Sequence, residues 1–315
     1  MKKNKRLFWA ACGIFVLLII AAAFYRYSAH PQSHQGTITP ADRVPLQIPD
    51  EAIKRGHTLT LPILMYHHVG QVPANANKMN LDLTVSAENF EIQAKWLHDN
   101  NYTSISLQDL YLYSLGKFPM PKKPVIFTFD DGYLDVFTNA VPILAKYGFT
   151  GSFAIITQNP GTTQGSNVYA SWQVIAQAKS LGQEIVSHTQ NHFDGLNPKF
   201  SADYIFQNLS GSVADLRNNL GVATDILVYP YGHYTPVYLA QAKKAGFVMG
   251  VTVHEGDVIN LEDLMQIPRL RVHGAENLQR FEDIILHKTI LLPKPALPTS
   301  TPKSLISTGT PADLK

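Results

Sequence analysis

The sequence predicts an α/β protein built on a distorted (β/α) barrel of about seven parallel strands. One observation is alternation: between about residues 60 and 290, short apolar runs are followed by helical patterns seven times. A second is the presence of helix start signals, since serine or threonine precedes several of the helical segments. A third is that polar residues collect directly after the apolar runs, which is where parallel barrels carry their chemistry.

Each expected strand is a short apolar run, and each expected helix has a start signal or an amphipathic period. The expected strands cover residues 61–67, 124–130, 151–157, 183–188, 225–230, 247–253 and 266–272. The expected helices cover residues 86–100, 107–115 and 133–147, the segments that begin after Ser171, after Ser201 and at Thr235-Pro236, and residues 275–287. This order of elements places the strands side by side in one parallel sheet that closes or nearly closes.

Residues 1–25 predict a transmembrane signal anchor. An uncharged apolar run over residues 7–25 is about long enough to cross a bilayer as a helix, and four basic residues precede it. The positive-inside bias keeps the N-terminus in the cytoplasm and exports the rest of the chain. We therefore expect a single-pass protein of the cell membrane with its folded domain outside the cell. If the segment is cleaved, the protein is secreted instead, but the run is longer than a usual signal-peptide core.

Two flanking regions show no sustained hydrophobic period. Residues 26–60 are polar with scattered prolines, which is typical of an extracellular linker. Residues 291–315 are rich in proline, serine and threonine and predict a disordered tail. The folded domain is expected over residues 61–290, and we expect it to be a monomer.

Charge and cysteine content exclude several kinds of site. The chain has 26 basic and 24 acidic residues, a formal charge of +2, and no basic cluster in its folded part, so nucleic acid is not an expected partner. Its one cysteine, Cys12, lies in the N-terminal apolar run. The folded part therefore has no disulfide and no thiolate ligand, and a metal would be held by nitrogen and oxygen atoms.

Two adjacent carboxylates, Asp130 and Asp131, end the most apolar expected strand and precede Gly132. Side chains alternate along a strand, so both acids can face one site only if the backbone turns, which glycine allows. In that case one carboxylate can bind a metal while the other faces a substrate. The alternative is an ordinary Asp-Gly turn with solvated acids, and the pair by itself favours neither interpretation.

Two histidines follow the strand 183–188 at a spacing of four residues. On a helical turn His188 and His192 would share a face, and a carboxylate from a neighbouring strand end would complete a His, His, Asp set. Such a set leaves coordination positions open, as catalytic zinc sites do, whereas structural zinc sites have four protein ligands. Nitrogen and oxygen ligands suit zinc and similar divalent cations.

Three motifs in this order, "TFDDG", "SHTQNH" and "YPYG", resemble those of the polysaccharide deacetylases of carbohydrate esterase family 4, over about residues 60–275. The resemblance implies a distorted (β/α) barrel that removes acetyl groups from N-acetylglucosamine with a divalent metal. Zinc is the expected metal, with Ni²⁺, Co²⁺ and Mn²⁺ as alternatives. It also implies the following roles: Asp130 as the general base, Asp131, His188 and His192 as metal ligands, and the backbone N–H of Tyr231 as an oxyanion donor.

The chain departs from that pattern at Val228, where many relatives carry an arginine that orients the base. Arg269 on the strand 266–272 can supply the guanidinium from another direction, or it is a surface residue of the strand. The histidine that protonates the leaving amine is also not set by the motifs. We prefer His273, at the end of that strand, over His287, which ends an amphipathic helix.

The substrate preference rests on "ILMYHHV" and "YPYGHY", which are most similar to the subgroup that deacetylates exported poly-β-1,6-N-acetylglucosamine in biofilms. His67 and His68 either line the sugar groove or cap a strand. Tyr234, and with it Tyr133, Trp172 and Phe193, either stack on sugar rings or pack in the core. The expected partner is therefore an extracellular polysaccharide. A peptidoglycan deacetylase, an O-acetyl xylan esterase and a non-catalytic carbohydrate-binding protein remain the alternatives.

Overall fold

The computed structural model describes residues 57–72 and 76–286. In chain order the strands are β1 (Thr58–Thr60), β2 (Ile63–Tyr66), β3 (His68–Val69), β4 (Thr84–Val85), β5 (Thr103–Ser104), β6 (Pro124–Phe129), β7 (Gly151–Ile155), β8 (Thr163–Gln164), β9 (Asn167–Val168), β10 (Glu184–Ser187), β11 (Ile226–Val228), β12 (Met249–Glu255), β13 (Val258–Asn260) and β14 (Ile267–Arg271). The helices are α1 (Lys78–Leu83), α2 (Ala87–Asp99), α3 (Leu107–Ser114), α4 (Val141–Lys146), α5 (Trp172–Ser180), α6 (Ala202–Leu220), α7 (Pro236–Lys244) and α8 (Leu278–Ile285).

Seven parallel strands form a closed ring in the order β2, β14, β12, β11, β10, β7, β6, and β6 pairs back with β2. The predicted seven-stranded (β/α) barrel is confirmed. The ring is irregular, because the register of β12 against β14 shifts between Val251 and Glu255. The two-residue strand β5 extends the sheet beside the first residues of β6.

The predicted helix starts are formed by side-chain caps. The hydroxyls of Ser86, Ser106, Ser171, Ser201 and Thr235 each accept a hydrogen bond from the backbone N–H three residues later. The predicted start of the last helix is wrong, because α8 begins after the cap Asn277 rather than at residue 275.

The predicted helix over 133–147 is formed at 134–146, but its middle, Val136–Ala140, is a π-helix that continues directly into α4. Pro142 lies in the first turn of α4. Residues 134–146 are continuously helical, so Pro142 lies inside the helix, directly after the π-helix, and its missing N–H removes one backbone hydrogen bond there.

Alternate strand residues enter two separate apolar clusters. Ile126 of β6, Ala154 of β7 and Val186 of β10 belong to a cluster inside the ring. Their neighbours Phe127 and Phe153 belong to a second cluster, which also contains residues of the surrounding helices. The alternation fixes direction at the strand ends, since residues two positions after an inward residue also point inward.

The folded domain begins earlier than predicted, within the last residues assigned to the linker. Residues Thr58–Thr60, assigned to the linker 26–60, form β1 and pair antiparallel with β13. A three-residue edge strand is stabilised by a distant partner and carries no period of its own, which is why the sequence pattern missed it.

The predicted anchor at residues 1–25, the rest of the linker up to residue 56 and the tail at 291–315 lie outside the described residues. Within residues 57–72 and 76–286, no helix is both long enough and apolar enough to cross a bilayer.

Glu184 lies at the opposite end of the barrel from the strand ends that carry the motifs. Its carboxylate accepts hydrogen bonds from the backbone N–H groups of Leu107 (3.0 Å) and Gln108 (2.8 Å) and from the hydroxyl of Ser152. Burial nevertheless dominates over these bonds and raises the pKa of Glu184 to about 7. The side chain links the N-terminus of α3 to β7 and β10.

We expect this carboxyl group to make the folding stability pH-dependent. Because its folded pKa exceeds the unfolded value of 4.5, its contribution is complete below pH 4.5 and is lost as the pH rises through about 7. The loss is at most about 3 kcal/mol. Urea unfolding between pH 4 and 8 should show a smaller decline for Glu184→Gln than for the wild type. Glu88→Gln, at an exposed first-turn glutamate of α2, is the control, and equal slopes in all three proteins would contradict the prediction.

Candidate active site

The motif residues gather at one end of the ring because they follow parallel strands. Asp130 follows β6, and its backbone N–H donates to Tyr66 O at 2.9 Å. His188 follows β10, and its backbone N–H donates to Ile155 O at 2.9 Å. These continued ladder bonds hold both residues at the carboxyl end of the barrel, as the sequence predicted.

The two adjacent acids point in different directions because the backbone turns between them. Thr128 and Asp130 continue the inward-facing positions of β6, so Asp130 enters the mouth of the barrel. Asp131 has a φ of 71° and Gly132 a φ of 82°, both in the left-handed region. A non-glycine residue in that region is strained, and such strain concentrates at functional sites. The turn brings Asp131 to the two histidines.

The segment from His188 to His192 is a turn rather than the expected helical turn. Thr189 and His192 have φ values of 67° and 57°, and the backbone N–H of His192 donates to Thr189 Oγ1 at 3.0 Å. A left-handed residue at each end of the turn cannot belong to a right-handed helix. The two imidazoles still converge, with ring centroids 4.8 Å apart.

Asp131, His188 and His192 form a candidate metal site. The Nε2 atoms of both histidines lie 3.3 Å from Asp131 Oδ1. The three ligand atoms all lie within 4.8 Å of one another. Asp131 Oδ1 is buried and has no hydrogen-bond partner in the described part of the chain. A buried carboxylate oxygen without a donor is costly unless something positive neutralises it, so the donor set fits a divalent cation.

The second nitrogen of His188 sets its tautomer. His188 Nδ1 lies 2.8 Å from the carbonyl oxygen of Val228, to which it donates. Nε2 is then unprotonated and can ligate a metal, and this outer hydrogen bond also fixes the ring orientation. Val228, the position that departs from the family's arginine pattern, thus contributes its backbone to the site.

Electrostatics favour the ligand-competent forms of Asp131 and His192, whereas the two adjacent acids raise the pKa of His188 despite its burial. Burial alone would raise the pKa of Asp131, but the neighbouring imidazoles, His188 first and then His67 and His192, outweigh it and hold the pKa well below its usual range. Burial and the neighbouring His188 lower the pKa of His192 to about 4. At neutral pH Asp131 is therefore ionised and His192 is neutral.

Asp130 is held by a buried arginine. Arg269 Nη1 and Nη2 donate to Asp130 Oδ1 and Oδ2 at 2.7 and 2.8 Å, a bidentate pair, and the side chain of Arg269 is fully buried. Arg269 also donates to Thr252 O and Thr128 Oγ1. Of the two interpretations of Arg269, the structure shows the one in which it reaches the acid. Burial would raise the pKa of Asp130, but Arg269 lowers it below the usual value.

We expect the pair to be strongly coupled in stability. Arg269→Ala leaves Asp130 buried without a counter-charge, and breaking a buried pair in this way costs about 3–5 kcal/mol. Asp130→Asn removes the charge that needs the partner. The double variant should therefore lose clearly less stability than the sum of the two single variants, measured by urea unfolding of all four proteins. Additive losses would contradict the coupling.

The two histidines after β2 have different surroundings. His67 is largely buried, its Nε2 lies 3.9 Å from Asp130 Oδ2, and burial lowers its pKa. His68 Nδ1 lies 2.7 Å from Asp135 Oδ2, and the His68 ring stacks on Tyr133 with centroids 3.9 Å apart. His67 thus belongs to the surroundings of Asp130, whereas His68 faces away from the acid pair, toward the start of the π-helix.

His273 follows β14 at the same end of the barrel. Its Nδ1 lies 2.8 Å from Asp82 Oδ1, and its backbone N–H donates to Glu276 Oε2 at 3.2 Å. A carboxylate on Nδ1 orients an imidazole and leaves Nε2 available for proton transfer. Its competitor for the role of general acid, His287, lies outside the described residues.

Two of the predicted tyrosines have contrasting positions. Tyr231 is left-handed (φ 58°), exposed, and its ring centroid lies 4.6 Å from that of His192. Tyr234 lies farther along, where its hydroxyl donates to Gln266 Oε1 at 2.7 Å and its ring packs on Tyr229.

The remaining aromatic candidates are mainly packing residues. Phe193 is buried, and its ring contacts those of Tyr204 and Tyr238. Tyr133 is also buried, and its ring contacts those of His68 and Tyr169. Trp172 is partly buried and packs against the outer apolar cluster. Sugar stacking by Phe193 or Tyr133 is therefore wrong, because neither ring face is open to a ligand.

Sequence comparisons agree with this geometry. A family model described as polysaccharide deacetylase matches residues 117–250. YxkH of Bacillus subtilis (strain 168), provisionally named a polysaccharide deacetylase, is 31% identical over 226 residues, covering 70% of this chain and 74% of that protein. The chain belongs to the polysaccharide deacetylase family. The predicted resemblance is confirmed, and so is the prediction of an amide-hydrolysing enzyme at the level of the family.

Other members of the polysaccharide deacetylase family carry more specific names. The poly-β-1,6-N-acetyl-D-glucosamine N-deacetylase of Staphylococcus aureus (strain MSSA476) is 30% identical over 207 residues, covering 63% of this chain and 71% of that protein. The Escherichia coli (strain K12) protein of the same name is 24% identical and covers 86% of this chain, but the chain spans only 44% of its length.

Among solved structures, the Streptococcus pyogenes deacetylase PplD in complex with acetate is similar to this chain, with a TM-score of 0.63 and 27% identity. The match covers 72% of this chain and 98% of that chain. IcaB from Ammonifex degensii, at 23% identity and a TM-score of 0.61, shares the fold.

Sequence reasoning missed Asp82 of this polysaccharide deacetylase. Asp82 lies in α1, a six-residue helix without buried residues, so no apolar period marks the segment. An Asn-x-x-Asn start at Asn77 was the one available signal, since the Asn77 side chain caps α1.

Proposed function

We propose that the protein is a metal-dependent N-deacetylase of an extracellular polysaccharide that contains N-acetylglucosamine, with poly-β-1,6-N-acetylglucosamine as its substrate. The observation that carries the proposal is the juxtaposition of Asp131, His188 and His192 with the ionised Asp130. The family supports deacetylation, and the names of the Staphylococcus aureus and Escherichia coli relatives support the polymer. The N-terminal apolar run supports a location at the outer face of the cell membrane.

Asp131 Oδ1, His188 Nε2 and His192 Nε2 would hold the cation. The mixed nitrogen and oxygen set favours zinc, with Ni²⁺, Co²⁺ or Mn²⁺ as other candidates. When bound, such a cation polarises the acetyl carbonyl and lowers the pKa of water. Three protein ligands leave room for the reacting groups, which distinguishes this set from a closed structural site.

Asp130 would act as the general base on the attacking water. Its carboxylate is kept ionised by Arg269, and the bidentate pair fixes the plane of the carboxylate so that it stays at the mouth of the barrel. The two adjacent acids therefore divide the work: Asp131 binds the cation and Asp130 takes the proton.

Two further residues would complete the reaction. The backbone N–H of Tyr231, on a strained turn beside His192, would donate to the developing oxyanion. His273, oriented by Asp82 through Nδ1, would donate a proton from Nε2 to the leaving amine. His67 lies beside Asp130 and would help to shape the polar floor of the groove.

An acetate-release assay on a panel of substrates tests this proposal. We expect release from poly-β-1,6-N-acetylglucosamine to exceed release from peptidoglycan, chitin oligomers and acetylated xylan. Greater release from peptidoglycan or from acetylxylan would reassign the substrate to that polymer. Binding to a polysaccharide without acetate release from any of the four would favour a carbohydrate-binding protein and contradict the enzymatic proposal.

A further inference from the structure

Helix α6 carries three polar residues on the face that meets the turn between His188 and His192. They are spaced four and three positions apart, so they share one side of the helix, and together they form the polar stripe: Asn208, Ser212 and Asp215. The side chains of Asn208 and Ser212 are buried. Buried polar groups are costly unless they are hydrogen-bonded. The partners of the polar stripe include residues 187, 190 and 191, next to and between the two histidines.

Asn208 holds the middle of the turn at two points. Its Oδ1 accepts a hydrogen bond from the backbone N–H of Gln190 at 2.9 Å, and its Nδ2 donates to Asn191 Oδ1 at 2.8 Å. Because the turn is not helical, the backbone N–H of Gln190 has no intrahelical acceptor, and a buried N–H needs one. The amide of Asn208 therefore takes the place of a backbone carbonyl.

Ser212 is the far end of a directed series of hydrogen bonds below Thr189. The backbone N–H of Thr189 donates to Ser187 Oγ at 3.1 Å. The Oγ atoms of Ser187 and Ser212 lie 2.7 Å apart, and Ser212 Oγ donates to the carbonyl oxygen of Leu209 at 2.7 Å. Each hydroxyl has one proton, and that of Ser212 is used on Leu209, so Ser187 is the donor between the two serines. The left-handed residue Thr189 is thereby tied to α6.

Gln190 lies across α6 at Gly211, where the helix has no side chain. Gln190 Nε2 donates to Asp215 Oδ2 at 2.9 Å, and the same oxygen accepts from Thr157 Oγ1 at 2.6 Å. A Cβ atom at position 211 would lie 2.5–2.6 Å from the terminal amide atoms of Gln190. Glycine is unfavourable inside a helix. At position 211 it gives the side chain of Gln190 the room to reach Asp215.

We propose that the polar stripe of α6 preorganises the metal site, by holding the turn after His188 in the conformation that places His192. This inference rests on the proposed function, in which His192 is a metal ligand. His188 is also oriented by the carbonyl oxygen of Val228, whereas the backbone N–H of His192 is held by Thr189 Oγ1 and so depends on the turn. Asn208, Ser212 and Asp215 are therefore positioning residues.

The physical reason is the strain of the turn. Left-handed backbone is unfavourable for residues with a side chain, and both Thr189 and His192 adopt it. Such residues keep their conformation only where surrounding contacts over-determine it. Without the polar stripe the turn would relax in the metal-free protein, and binding of the cation would have to restore it. The polar stripe thus raises the affinity for the cation.

Zinc affinity, measured by competition with a chromogenic chelator, tests this proposal without any need for turnover. We expect Asn208→Ala to weaken zinc binding about tenfold, the lower end of the usual effect of removing an outer hydrogen-bond partner from a metal site. Gly211→Ala should also weaken it, although alanine favours a helix, because the new methyl group displaces Gln190 from Asp215. This second variant keeps the test valid if Asn208→Ala folds poorly.

Two variants of the same helix are the controls. Asn218→Ala makes the same substitution at an exposed asparagine of α6. Leu220→Ala removes a buried side chain at the end of α6 and lowers stability without touching the turn. Both should bind zinc like the wild type. At saturating Co²⁺, the visible absorption of Asn208→Ala and Gly211→Ala should match that of the wild type, because all three ligands are retained.

Unchanged zinc affinity in both Asn208→Ala and Gly211→Ala would overturn the positioning role, and so would an equal loss in Leu220→Ala. A different cobalt spectrum at saturation would also overturn it, since a ligand would then be lost rather than misplaced. These three results leave the proposed function intact. Weaker zinc binding in the two variants, with no acetate release by the zinc-loaded wild type, would support the positioning role and refute the proposed function. A wild type that binds no zinc would overturn both.

Discussion

Asp131→Ala is expected to yield a folded protein without its metal and without activity. Asp131 Oδ1 is the atom that both histidine Nε2 atoms approach, at 3.3 Å each, and it contributes the one negative charge of the three-ligand set. Without it, two neutral imidazoles remain and a divalent cation is bound far more weakly. Metal content by mass spectrometry and acetate release, both measured on the same preparation, check this prediction.

A matched variant separates ligand loss from backbone strain at this position. Asp131 has a φ of 71°, where alanine is less well tolerated than aspartate or asparagine. Asp131→Asn keeps the shape and the turn but replaces the charged ligand with a neutral amide, so it should also lose metal. Full metal occupancy in Asp131→Asn, together with normal activity, would exclude Asp131 as a ligand.

Asp130→Asn is expected to keep its metal and to lose turnover by about 10² to 10⁴. The amide has the size of the carboxylate and can still accept a hydrogen bond from Arg269, but it cannot take a proton from water. Asp130 is not among the three residues whose ligand atoms form the candidate metal site, so the metal content should match that of the wild type. Acetate release at saturating substrate, normalised to bound metal, is the measurement.

Two outcomes would contradict the role of Asp130. Metal loss in Asp130→Asn would make Asp130 a metal ligand and exclude it as the base. His67, whose Nε2 lies 3.9 Å from Asp130 Oδ2, would then be a candidate for the base. Undiminished turnover with full metal would mean that Asp130 does not take the proton and that its pair with Arg269 has a structural role alone.

The barrel could be predicted because its information is local. Strands with continuous apolar runs and helices with serine or threonine caps are marked in the sequence itself, as Ser171 and Ser201 show. The elements that were missed are short, and one of them is stabilised by a distant partner. Strand β1 depends on β13, some 200 residues away, and β8 and β9 have two residues each. Such segments are too short to show a period.

The same distinction applies to the candidate site: features marked in the local sequence could be predicted, and features that depend on distant contacts or backbone dihedrals could not. The set Asp131, His188 and His192 could be predicted because each residue follows a recognisable strand, and parallel strands bring their ends together. The pairing of Asp130 with Arg269 could only be left open, since it depends on Arg269 occupying an inward position of β14. The turn at Thr189 and His192 was predicted as helical, because spacing alone does not reveal left-handed residues.

Acetate release as a function of metal occupancy tests the central claim most directly. The protein is stripped with a chelator, shown to be metal-free, and titrated with Zn²⁺ in the presence of poly-β-1,6-N-acetylglucosamine. The account predicts no release at zero occupancy and a rise that saturates at one zinc per chain. Undiminished acetate release by the verified metal-free protein would contradict it.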